Sequence, residues 1–100
     1  MIVKHGLNKN DLRIIKKIIR QNCPNADKVA LFGSRATGNH KLESDIDLVV
    51  YGSVTQHGLN RAYTCFLESS LPYKVDIIAY NHTINPILKE HIDTVAKPLF

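Results

Sequence analysis

Residues 31–50 read LFGSRATGNHKLESDIDLVV. An apolar run closes at Gly33, a second glycine stands at 38, and Asp45 and Asp47 lead into another apolar run. Glycines directly after a strand suggest a loop that cradles phosphate. A P-loop requires GxxxxGK followed by Ser or Thr, because the lysine reaches the terminal phosphates and the hydroxyl holds magnesium. Here GSRATG is followed by Asn39 and His40, so both groups are missing. The dinucleotide fingerprint GxGxxG fails as well, since position 35 is Arg. A divided arrangement remains. Gly33 lets a phosphate approach the backbone closely where a strand gives way to a helical turn. The N–H groups of that turn and the Ser34 hydroxyl supply donors. Any cation must then be held by carboxylates from elsewhere.

Asp45 and Asp47 are two apart in an extended segment, so their side chains share one face while Ile46 and Leu48 face the core. Adjacent carboxylates repel unless a cation lies between them. Magnesium is suited to such a place, being held by one or two carboxylates plus substrate phosphates. A third carboxylate, Asp76, lies inside KVDIIAY, where a strand aspartate is locally unfavourable. It either faces solvent on an edge strand or joins the Asp45/Asp47 pair from a neighbouring strand. In the second case three carboxylates hold two metal ions about 4 Å apart for an in-line displacement at phosphorus. Asp76 is then also placed to accept a proton from the attacking hydroxyl.

The flanking chain supplies the scaffold. Residues 8–22 carry apolar residues at 12, 15, 18 and 19, the spacing of a helix that Asn8 or Asn10 can cap. Strands are expected at 28–32, 47–51 and 74–80, and helices at 57–70 and 84–96, the last with Pro86 in its first turn. In the helix at 57–70, Leu59, Ala62, Tyr63, Phe66 and Leu67 share one face. The link from Gly33 to Ser44 is too short for a full βαβ crossover and suits one helical turn, SRAT, followed by a loop. The expected fold class is α+β, a small mixed β-sheet flanked by helices in the order α-β-β-α-β-α.

With 100 residues the chain is expected to form a single domain, 1–100. No apolar stretch is long enough to span a bilayer and the start turns polar too soon for a signal peptide, so a soluble cytoplasmic protein is expected. Cys23 and Cys65 read as isolated thiols, and five scattered histidines offer no zinc spacing. A formal charge of +4 suits anionic partners only weakly. Arg13, Lys16, Lys17 and Arg20 share the first helix and read as a solvated face.

Gly33-Ser34, ten residues, then Asp45-Ile46-Asp47, with Asp76 on a later strand, resembles the signature of the polymerase-β-like nucleotidyltransferases. In size and element order the chain is similar to the minimal nucleotidyltransferases, the MNT group. The resemblance implies that Gly33 and Ser34 contact the outer phosphates of a nucleoside triphosphate. Arg35 and Ser44 stand with them as nucleotide-binding candidates, Arg35 being open equally to a surface salt bridge. Asp45 and Asp47 bind Mg2+, and Asp76 completes the catalytic site, with two ions expected. The implied reaction moves a nucleoside monophosphate, most often AMP from ATP, to an acceptor hydroxyl. Thr37 departs from the family, many members of which have arginine there, and HIDTVAKPLF lacks their glycine-containing turn.

The larger enzymes of the superfamily add a helical domain for the acceptor, and this chain has no room for one. MNT proteins resemble one half of a pair whose other half is a HEPN-type helical protein. The pair forms either a joint enzyme or an adenylylating antitoxin with its toxin, so a hetero-oligomer is expected, with neither membrane nor nucleic acid as direct substrate. Three readings stay open: transfer to a partner protein, transfer to a small molecule of the aminoglycoside kind, and a non-catalytic protein that binds nucleotide or partner.

Overall fold

The bounds of each helix follow from its caps and the residues it buries. The computed structural model describes residues 6–38, 44–83 and 85–100. Helix α1, Lys9–Asn22, begins at a reciprocal cap. The Asp11 N–H donates to Asn8 Oδ1 at 2.8 Å, and the Asn8 N–H donates to Asp11 Oδ2 at 3.2 Å. Two orphan donors of the first turn are thereby satisfied. Ile15, Ile18 and Ile19 are buried, and the helix stops at Cys23 before Pro24. Arg13, Lys17 and Arg20 lie exposed, as a solvated face requires, while Lys16 is half-buried with its ammonium 5.8 Å from the centre of the Phe100 ring.

Strand β1, Ala26–Phe32, runs to Gly33, where the one-turn helix α2, Ser34–Thr37, begins. Strand β2, Ile46–Gly52, is followed by α3, Gln56–Glu68, and β3, Val75–Ala79. A 3-10 turn at Tyr80–His82 leads toward α4, Pro86–Val95, and a two-residue strand β4, Lys97–Pro98. Asn85 caps α4 by accepting from the Ile87 and Leu88 N–H groups. The expected helical turn in SRAT is present. The expected start of the last helix at 84 and the loop at 39–43 lie outside the described residues.

The four strands form one mixed sheet in the order β3-β2-β1-β4. Strand β1 is antiparallel to both β2 and β4, whereas β2 and β3 are parallel and joined through α3. Side chains alternate across such a sheet. On one face Val29, Leu31, Ile46, Leu48 and Val50 pack with α1 and with Leu59, Ala62 and Phe66 of α3. On the other, Ala30 and Val49 meet Ile92 of α4, bordered by Phe32, Tyr51, Ile78 and Leu88. This is the expected α+β architecture.

Two details differ from expectation. Tyr63 and Leu67 do not share the buried stripe of α3, being 37% and 64% exposed, because α3 shares that face of the sheet with α1 and turns only Leu59, Ala62 and Phe66 fully into the core. Strand β4 is an addition, too short and too proline-marked for periodicity to reveal. Among the described residues no helix is long and apolar enough to cross a membrane, and Cys23 and Cys65 are unpaired thiols.

Candidate active site

The alternation that buries Ile46 and Leu48 turns Asp47 to the opposite face, at the end of the sheet where β1 gives way to α2. In the parallel register Asp47 stands directly opposite Asp76 of β3, and in the antiparallel register it stands opposite Phe32 of β1. Paired residues share a face, so the two carboxylates face the same side. Strand β3 is an edge strand, as one reading of Asp76 held, but the residue is half-buried beside Asp47. Asp45 is exposed, just ahead of β2.

Gly33 closes the site from the β1 side. Its φ of 75° and ψ of −156° lie where only glycine is at ease, and a Cβ built there would fall on Asp47 Oδ2. Glycine at 33 is therefore required twice, by its own backbone and by the carboxylate packed against it. Its carbonyl accepts from the Ala36 and Thr37 N–H groups at 3.1 and 3.2 Å, which starts α2. Gly38, left-handed at φ 85°, ends the turn with its N–H on the Ser34 carbonyl. Ser34 is half-buried at the first position of that turn.

Charge is concentrated on Asp47. Burial raises the pKa of its carboxyl above the ordinary value, and the nearby Asp76 and Asp45 raise it further, against a lowering by Lys74. A cation beside Asp47 would offset all three raising effects. Among the described residues no group of three or more His, Cys, Asp or Glu side chains is arranged to hold a metal ion. The donor chemistry nevertheless fits magnesium, which takes hard oxygen ligands and completes its shell with water and substrate phosphates.

Arg35 is not at the surface. It is 3% exposed, with Nε and Nη2 donating to the Ser44 carbonyl at 3.2 and 2.9 Å and the guanidinium 4.5 Å from the centre of the Tyr73 ring. Thr37 is exposed, its hydroxyl 3.3 Å from the Ser34 carbonyl. Sequence reasoning did not single out Tyr73 or Lys74. The signal for Lys74 was its place two before Asp76, which puts both on one face of an extended segment. For Tyr73 there was no signal, since its partner is 38 positions away in the chain.

A glycine turn at a strand end, packed on a carboxylate that faces a second one across a parallel pair, sits on a fold of the nucleotidyltransferase class. The family model described as "Polymerase beta, Nucleotidyltransferase" matches residues 13–100, and the chain belongs to that family. A probable protein adenylyltransferase of Haemophilus influenzae, MntA, is 31% identical over 104 residues, covering 92% of this chain and 90% of the relative. A candidate protein adenylyltransferase of Methanocaldococcus jannaschii, MJ1379, is 35% identical over 88 residues, covering 85% of this chain and 87% of its own. The crystal structure of a toxin–antitoxin with AMP-PNP contains a chain of the same fold, with TM-score 0.74 and 26% identity, covering 90% of this chain and 73% of that one.

Proposed function

We propose that this protein is a magnesium-dependent adenylyltransferase that moves AMP from ATP to a hydroxyl of a HEPN-type partner protein in the cytoplasm, with the two forming a hetero-oligomer. The observation that carries the proposal is the Asp47–Asp76 pair across the parallel strands, with Gly33 packed on Asp47. The partner is drawn from the family resemblance and from two relatives described as protein adenylyltransferases. It also draws on the toxin–antitoxin that shares the fold.

Gly33 gives the triphosphate close access to the backbone, and Ser34 offers a hydroxyl beside it, with Ser44 flanking from the start of β2. Asp45, Asp47 and Asp76 are the residues that would hold Mg2+. When bound, the metal neutralises the leaving pyrophosphate and acidifies the attacking hydroxyl. The acceptor oxygen forms a bond to the α-phosphorus as the bond from that phosphorus to the β-phosphate oxygen breaks. Asp76, on the edge strand, takes the proton that the hydroxyl releases.

The test uses purified protein, ATP labelled at the α-phosphate, Mg2+, and a co-expressed HEPN-type partner. Label is expected on the partner, and Asp47→Asn is expected to abolish it. Magnesium-dependent ATP binding without transfer would favour the non-catalytic reading. No ATP binding at all would overturn the assignment of the loop.

A further inference from the structure

We infer that Arg35 is a positioning residue that braces the Gly33–Ser34 turn against the strands carrying the carboxylates, and is not itself a phosphate ligand; this deepens the adenylyltransferase reading and rests on it. A guanidinium that is 3% exposed has given up its water, which is tolerated only where protein atoms replace it. Nε and Nη2 both donate to one acceptor, the Ser44 carbonyl, while the face of the group lies against Tyr73.

Each contact reaches a different arm of the site. Arg35 itself is the second residue of α2, immediately after Ser34. Ser44 directly precedes Asp45, and Tyr73 directly precedes Lys74. The Lys74 carbonyl accepts the Ile46 N–H at 2.8 Å, so the lead into β3 is already tied to the lead into β2. One side chain thus joins the phosphate-facing turn, the Asp45–Asp47 segment and the strand of Asp76. Gly33 meets Asp47 from the same turn, so turn and carboxylate are held in register at two points. Lysine cannot substitute for this, because an ammonium has no planar fork and stacks poorly on a ring.

The expected signature separates a brace from a ligand. With the partner protein and labelled ATP, Arg35→Lys should lower kcat about 10- to 100-fold, the cost of slight misplacement of reacting groups. The KM for ATP should change less than about threefold, because ground-state contacts are retained. Tyr73→Phe keeps the ring face and should keep kcat within about twofold, whereas Tyr73→Leu should fall as Arg35→Lys does. The double variant Arg35→Lys/Tyr73→Leu should be little worse than either single one, since both remove the same contact.

A raised KM for ATP with unchanged kcat would make Arg35 a ligand and overturn the inference. So would a loss of folded protein with kcat per active site unchanged. Absence of transfer by the wild type would instead count against the adenylyltransferase reading. The brace is then read from amide exchange. Arg35→Lys should speed exchange at Ile46 but not at Ile92, and unchanged exchange at Ile46 would overturn it.

Discussion

Replacing Gly33 by alanine tests the site through its sterics. The backbone sits at φ 75° and ψ −156°, and the new methyl would meet Asp47 Oδ2. Holding a non-glycine residue in that region costs about 1–3 kcal/mol. Pushing the Asp47 side chain off its rotamer adds about 0.5–1.5 kcal/mol. The sum, about 1.5–4.5 kcal/mol, is a large part of the roughly 5–15 kcal/mol that holds a domain together. Urea unfolding should therefore move to a lower midpoint with its slope unchanged. The two contributions separate in an Asp47→Ala background. There the collision is gone, and Gly33→Ala should cost only the backbone portion, about 1–3 kcal/mol. The coupling between the two sites should be about 0.5–1.5 kcal/mol. A cost below about 0.5 kcal/mol in the wild-type background, or an identical cost in both, would refute this account of Gly33.

Two further predictions concern charge and core. The folded-state pKa of Asp47 is raised above 3.8 by burial and by Asp76 and Asp45, so the native state binds its proton more tightly than the unfolded chain does. The resulting penalty on the fold is absent below pH 3.8, grows as pH rises through the raised value, and is complete above it. Asp47→Asn should raise the Tm at pH 7 in the presence of chelator, with a gain that fades as pH falls toward 4; a lower Tm at pH 7 would count against it. Ile92 is the buried anchor of α4 against Ala30 and Val49. Ile92→Ala should cost about 2–5 kcal/mol in urea unfolding, and a loss under 1 kcal/mol would mean that α4 is not held by that contact.

Much of this was legible from local pattern. The spacing of Ile15, Ile18 and Ile19 gave α1, and the apolar runs around Val49 and Ile77 gave strands that the sheet pairs in the expected way. Asp76 was legible because an aspartate between Val75 and Ile77 needs a reason to be there. What stayed hidden depends on contacts between distant segments. Periodicity assigns Tyr63 and Leu67 to the apolar face of α3, but α3 shares the sheet with α1 and leaves them at its exposed margin. Arg35 looks like a surface cation until Ser44 and Tyr73 fold over it. Strand β4 owes its existence to β1, through the pairs Ala30 with Pro98 and Leu31 with Lys97. Nothing within those two residues signals it.

The parallel pairing of β2 with β3 encloses one repulsive pair among attractive ones. Ile46 with Val75, Leu48 with Ile77, Val49 with Ile78 and Val50 with Ala79 gain from meeting, while Asp47 with Asp76 does not. The hydrophobic gain therefore acts on both sides of the two acids and opposes their repulsion. The same repulsion that invites a cation is thus opposed by apolar pairs on both sides, so site charge and strand pairing are set against each other in one short ladder.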